Sequence, residues 1–215
     1  MRTREFAVLG LGEFGYSIAK TLAEQGCQVL AADMDEERVN SIAPMVTQAV
    51  RADLTDPAVL EELGLEGLDG VAVALANNLE ASIMVTMAAK ESGVPYVLVR
   101  AQNELHEAVL RKLGADEVIL PERSMGVRVA RSLVAGRFVD MAELSENISM
   151  AELTVPEEWA GKTLSGLALR QKGLNVIARA EKDGEIVTRL DPEKPLEPGD
   201  IYIIVGETRA IENLF

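Results

Sequence analysis

Gly10-Leu-Gly-Glu-Phe-Gly15 is the stretch of this sequence whose residue types and spacing most plainly permit chemistry. The three glycines follow the pattern G-x-G-x-x-G, after a short apolar run and before a segment of helical spacing. The first two permit a tight turn and let backbone N–H groups approach a pyrophosphate. The third lets the helix pack close to a strand, and the helix dipole favours the anion. Asp33 follows about 20 residues on, at the end of a second apolar run. A carboxylate there accepts hydrogen bonds from ribose hydroxyls and repels a 2′-phosphate.

Other polar residues end later apolar runs. Asp53 closes the third, in Arg51-Ala-Asp-Leu-Thr55, and either reaches an adenine amino group or caps the helix after it. Asn77 and Asn78 end the fourth run and Arg100 the fifth, where Arg100 makes either a phosphate contact or a surface ion pair. Glu122 follows Pro121 in a first helical turn, a position that suits the helix dipole. His106 lies between Glu104 and Glu107 and reads as a packing or surface residue rather than an acid/base. There is no Gly-x-Ser-x-Gly, no His-Glu-x-x-His and no Walker-type lysine. The expectation is binding without catalysis, hence no enzyme and no catalytic residues.

The elements that must position these groups alternate. Strands are expected at Glu5–Leu9, Gln28–Asp33, Thr47–Arg51, Gly70–Leu75, Tyr96–Arg100 and Glu117–Leu120. Helices fall between them at Glu13–Gln25, Glu36–Ala43, Pro57–Leu63 (capped by Asp56), Leu79–Ser92 and Glu104–Leu113, with a longer one at Glu122–Phe138. Such βαβ repetition means a parallel sheet covered on both faces, an α/β fold of the Rossmann-like, doubly wound kind. After about Asp140 the pattern changes to strands at Leu153–Val155, Asn175–Ala180, Ile186–Leu190 and Tyr202–Val205. Helical pieces lie at Leu164–Gln171 and Thr208–Leu214. Lys182-Asp-Gly-Glu185 is a hairpin signal between the second and third of these strands. The division expected is residues 1–140 for a nucleotide-binding domain and 148–215 for a small α+β domain, joined by an acidic link from Glu143 to Glu146.

Composition bounds the partners. The 215 residues are 48% hydrophobic and carry 35 acids against 21 bases, a net charge of −14. That surface repels phosphate backbones and anionic lipid heads, so neither nucleic acid nor direct lipid binding is expected. Apolar runs are too short to span a bilayer, and the N-terminus lacks a small-residue cleavage site, so a soluble, intracellular protein is expected. The single cysteine, Cys27, agrees with a reducing compartment and reads as a buried, inert thiol. One Cys and one His leave too few ligands for zinc.

Taken together, several strings resemble the regulators of potassium conductance, in particular the soluble subunits of Ktr-type potassium transporters. They are Phe6-Ala-Val-Leu-Gly-Leu-Gly-x-Phe-Gly15, Val39-Asn40, Asn78-Leu-Glu-Ala-Ser82, Arg100-Ala-Gln-Asn103, Lys112-Leu-Gly-Ala-Asp116 and Pro121-Glu-Arg-Ser-Met-Gly126. The resemblance spans nearly the whole chain. It implies a homodimer assembling into an octameric ring beneath a membrane-embedded potassium translocator of Ktr or Trk type, at the cytoplasmic face. It also implies an adenine nucleotide (ATP, ADP, or NAD/NADH) as the ligand that changes the ring's shape. Gly10, Gly12 and Gly15 would line the phosphates, Asp33 the ribose and Asp53 the adenine. Leu11, Glu13, Phe14, Met34, Leu54, Ala74 and Asn78 would lie beside them, and Arg100 would approach the terminal phosphates. Glu122 would help bind a divalent cation, magnesium or calcium, between paired subunits. The same resemblance places cyclic di-AMP in the C-terminal domain at Arg170 and Asn175, Val176 and Ile177. One departure stands out: the family often has Arg where this chain has Glu13. A carboxylate beside a triphosphate is unfavourable without an intervening cation, which favours ADP or NAD(H). The rival readings are a small NAD-dependent oxidoreductase, a Trk-type subunit sensing NADH, and a scaffold that has lost its ligand.

Overall fold

Asp or Asn opens each of four successive helices, and in each its side chain accepts a backbone N–H two or three residues on. In the computed structural model, which describes residues 2–75, 78–134, 141–145, 147–180 and 185–214, these caps punctuate a regular βα alternation. The elements are β1 (Glu5–Leu9), α1 (Glu13–Glu24), β2 (Gln28–Asp33), α2 (Glu36–Ile42), β3 (Gln48–Arg51), α3 (Pro57–Glu62), β4 (Gly70–Val73), α4 (Leu79–Glu91), β5 (Val97–Arg100), α5 (Glu104–Lys112), β6 (Glu117–Ile119) and α6 (Pro121–Val134). Asp35, Asp56, Asn78 and Asn103 are the caps of α2 to α5. By contact, the chain divides into two compact units, Met1–Glu122 and Arg123–Phe215.

The first unit is a parallel sheet ordered β3-β2-β1-β4-β5-β6. Its strands read as apolar runs because both faces are covered. One face buries Leu9, Val73, Val85, Val99 and Leu110, and the other Val8, Val29, Ala31 and Ile42. Full burial of each large aliphatic side chain contributes roughly 1.5–3 kcal/mol. Chain order reverses between β1 and β4, and a crevice opens above the carboxyl ends of strands at such a switch point. Cys27 is half-buried here rather than fully enclosed.

The second unit adds β7 (Met141–Glu143), β8 (Ile148–Thr154), α7 (Leu164–Leu167), β9 (Leu174–Ala180), β10 (Ile186–Val187), β11 (Ile201–Glu207) and α8 (Thr208–Glu212). Its sheet is antiparallel, ordered β10-β9-β11-β8-β7. Ala151, Leu153, Leu174, Ile204 and Ile211 form its main core. The architecture is therefore the expected doubly wound sheet followed by a small α+β domain. Details differ: Met141–Glu143, where no strand was expected and whose last residue was read as the start of the acidic link, is an edge strand on β8, and β8 begins at Ile148 rather than Leu153. The helix expected over Leu164–Gln171 breaks at Ala168, whose φ of 49° ends α7 and starts a short 3-10 turn, Leu169–Lys172. Strands β9 and β10 pair as the hairpin signal implies, with Ile186 opposite Ala180. Residues 181–184 of that turn, Asn77, Glu146 and the expected end of the long helix at 135–138 lie outside the described residues. Among the described residues, no helix is long and apolar enough to cross a membrane.

Candidate nucleotide-binding site

The glycine loop leaves β1 at Gly10, whose φ of +97° is a conformation that L side chains rarely adopt. A Cβ there would also meet the Leu75 side chain at 2.9 Å and the Ala74 carbonyl at 3.0 Å. Gly15 is tighter still, because a Cβ would come within 1.9 Å of the Gly10 carbonyl oxygen. The helix α1 thus rests directly on the loop, with Ala74, itself buried, beneath both. Gly12 is the opposite case. It caps α1 without a side-chain hydrogen bond, and a Cβ there would meet nothing within 4 Å. The loop is packed on its inner side and open at Gly12, the side from which an anion would approach the helix N-terminus.

Asp33 ties this loop to β2. Asp33 is 5% exposed, and its carboxylate accepts the Leu11 N–H at 2.6 Å and the Asp35 N–H at 2.9 Å. Arg38 lies 3.5 Å from the same carboxylate and 3.4 Å from Asp35. Asp33 is therefore already a structural anchor. Each carboxylate oxygen has two lone pairs, which leaves capacity for ribose hydroxyls. Next to it, Met34 is 64% exposed, and its carbonyl accepts the Arg51 Nε–H at 3.3 Å. Arg51 also reaches Glu36 at 3.3 Å. Sequence reasoning did not single out Arg38 or Arg51; the three-residue spacing from Asp35 to Arg38 on α2 was the available signal.

Asp53 is exposed, and its carboxyl is held below the usual carboxylate range, first by the Thr55 hydroxyl at 2.6 Å and then by the Thr55 N–H at 3.0 Å. It shapes this turn but does not cap α3, which Asp56 does. Leu54 is buried in the core, at 4% exposure. Asn78 caps α4 by accepting the Ala81 N–H at 3.0 Å.

Arg100 connects β5 to α1 and α6. Its guanidinium lies over the Phe14 ring, 5.8 Å from the centroid, and pairs with the Glu122 carboxylate. Its Nε is buried, with no hydrogen-bond partner among the described residues. Glu13, the first residue of α1, is exposed one position before Phe14. The residues named from sequence thus fall into two connected groups, Gly10–Gly15 with Asp33, which Arg38 joins, and Phe14 with Arg100 and Glu122. Asp53 instead bonds within its own turn, to Thr55 and through its carbonyl to the Asp56 N–H. Among the described residues there is no group of three or more His, Cys, Asp or Glu that could hold a metal ion.

His106 is 3% exposed, its Nδ1 accepts the Gln102 N–H at 3.2 Å, and its Nε2 has no partner among the described residues. Burial pushes its pKa down. The acceptor at Nδ1 fixes the neutral ring with its proton on Nε2, so it cannot serve as a base there.

In the second unit, a pocket of about 520 Å³ is lined by Leu164, Ser165, Arg170, Gln171, Val176 and Thr188, among others. Arg170 and Val176 share it. Asn175 and Ile177 do not line it, because side chains alternate across β9.

Comparison with known proteins gives a consistent picture. The TrkA-N domain family matches residues 6–121 and the TrkA-C domain family residues 150–215. The "Ktr system potassium uptake protein C" of Bacillus subtilis (strain 168) is 44% identical over 209 residues, covering 97% of this chain and 94% of that protein. The "Ktr system potassium uptake protein A" of Vibrio alginolyticus is 40% identical over 211 residues, covering 98% of this chain and 96% of that one. Among solved structures, the "GsuK channel bound to NAD" superposes with a TM-score of 0.65 at 18% identity, over 98% of this chain. This chain spans only 38% of that protein's length, and the likeness is one of fold.

Proposed function

The chain belongs to the TrkA family, the regulators of potassium conductance of the Ktr type, and from that membership we propose that it is a nucleotide-sensing regulatory subunit that gates a membrane potassium transporter. The observation that carries the reading is the Gly10–Gly15 loop, packed inside, open at Gly12 and joined to Asp33 by a 2.6 Å hydrogen bond. A nucleotide with different affinity for two shapes of an oligomeric ring shifts their balance, and the transporter opens or closes with it. We assign nucleotide binding to residues 1–140 and a second regulatory role to 148–215. The sole histidine is buried with its Nδ1 occupied and Asp33 is engaged by backbone N–H groups, which favours a sensor over an oxidoreductase.

The ligand class is an adenine nucleotide. Glu13 stands in the first turn of α1, where phosphates would approach, and Arg100 is already paired with Glu122, which favours ADP or NAD(H) over ATP unless a cation intervenes. Glu122 would contribute to a shared magnesium or calcium ion only if nucleotide oxygens and a second subunit supplied the other ligands. The Arg170 pocket is the place for cyclic di-AMP. Paired subunits would meet through α6, whose Met125, Val129 and Leu133 are exposed at 52%, 41% and 77%, and the pairs would build the octameric ring at the cytoplasmic face of the membrane.

Calorimetry with ATP, ADP, NAD and NADH, with and without a divalent cation, tests this. Binding of at least one of them, lost in Asp33→Ala, is the expected result, and no binding of any would sink the sensor reading. Cation-dependent ATP binding weakened by Glu122→Gln would bring the shared metal site with it.

A further inference from the structure

A groove of about 410 Å³ runs between α3 and α4, away from the glycine loop. Leu60, Met84 and Ala88 line it and Met87, 41% exposed, stands over it, while Glu61, Glu66 and Glu91 also line it. All three glutamates are exposed and none forms an ion pair among the described residues. No Lys or Arg lines the groove, and Lys90, next to Glu91, is held at 3.0 Å by Asp116 instead. An apolar floor within an uncompensated acidic rim matches a segment that is apolar on one side and cationic on the other. Methionine suits such a role, because its unbranched, polarisable side chain adapts to different apolar partners. Membrane-embedded proteins carry their excess of Lys and Arg in cytoplasmic loops.

We propose that the α3–α4 groove docks a Lys/Arg-rich amphipathic segment from the cytoplasmic side of the membrane partner. This rests on the regulatory reading above, since it supposes a partner in the bilayer. A groove of this size makes a small interface, so single-site binding is weak and transient, and firm attachment comes from several subunits engaging at once. The contacts are exposed ion pairs, so the attraction is screened by salt.

The test uses the full-length chain with ¹³C-labelled methionine methyls, titrated with a short synthetic Leu/Lys amphipathic helix and with a Leu/Glu control. The Met84 and Met87 signals are expected to shift with the Lys peptide alone. Met34, beside the glycine loop, and Met45 should stay in place. The triple variant Glu61→Gln, Glu66→Gln, Glu91→Gln, all exposed positions that should leave the fold intact, is expected to weaken binding about tenfold or more. Shifts spread equally over all methionines would overturn the proposal, as would an unchanged affinity in the triple variant. Met84 and Met87 shifts that follow protein concentration without peptide would make the groove a contact between copies and overturn it too. Nucleotide added to the same sample should move Met34. If Met34 responds and Met84 does not, docking fails alone; if neither responds, the regulatory reading fails with it.

Discussion

Substituting alanine at Gly15 and at Gly12 separates packing from binding. At Gly15 the new Cβ would sit 1.9 Å from the Gly10 carbonyl oxygen, where ordinary contact begins at 3.4 Å. Both partners are backbone, so α1 and the loop must part by roughly the difference, 3.4 − 1.9 = 1.5 Å. Overpacking that cannot be relieved by a rotamer change costs about 1–3 kcal/mol or more. The same displacement pulls the Leu11 N–H from Asp33, a charge-assisted bond whose loss adds about 1.5–3 kcal/mol. Gly15→Ala should therefore lose at least ~2 kcal/mol in urea unfolding and also lose nucleotide binding. At Gly12, with φ −63° and ψ 176° and open space around the Cβ, alanine should change stability by less than ~0.5 kcal/mol. It should still weaken the nucleotide, because a methyl group now stands where phosphate would meet backbone. The paired readout is urea unfolding against calorimetry. A Gly15→Ala protein as stable as the parent would refute the packing argument. A Gly12→Ala protein that binds normally would refute the placement of the phosphates.

Asp33→Asn keeps one acceptor but loses the charge facing Leu11 N–H and Arg38, so nucleotide affinity should fall about 5- to 100-fold and discrimination against a 2′-phosphate should relax, both read by calorimetry. His106 has a lowered folded-state pKa, so the unfolded chain binds more protons as pH falls through about 6.5, and stability present above that value is lost below it. Urea unfolding between pH 5 and 8 should show that slope, at most about 1.4 kcal/mol per pH unit, and His106→Asn should flatten it. Thr55→Ala removes the larger of the two causes that hold down Asp53, so an NMR titration should find the Asp53 carboxyl moved upward; no movement would mean the Thr55 hydroxyl is not its partner.

Local signals in the sequence located the first unit well. Strand β2 ends at Asp33 as read, and helices α2 to α5 start where their Asp and Asn caps stand, because capping and continuous apolar runs are short-range physics. The second unit was less legible. Strand β8 alternates buried Ser149, Ala151 and Leu153 with half-buried or exposed Met150 and Glu152, so its first half does not read as an apolar run. Strand β7 is three residues long and owes its existence to pairing with β8. In the candidate site the residue types were visible but their partners were not. Asp33 and Leu11 are 22 residues apart, as are Arg100 and Glu122, and only the folded sheet brings either pair together.

The bond from Leu11 N–H to Asp33 has a kinetic side. A loop whose shape is set by its own β2 carboxylate and by glycine packing need not reorder when a nucleotide leaves. Exchange at such a site is limited by encounter and departure, without a folding step between. Competing nucleotides would then equilibrate quickly, and occupancy would follow their momentary ratio in solution. A subunit built this way keeps no memory of the last ligand it held.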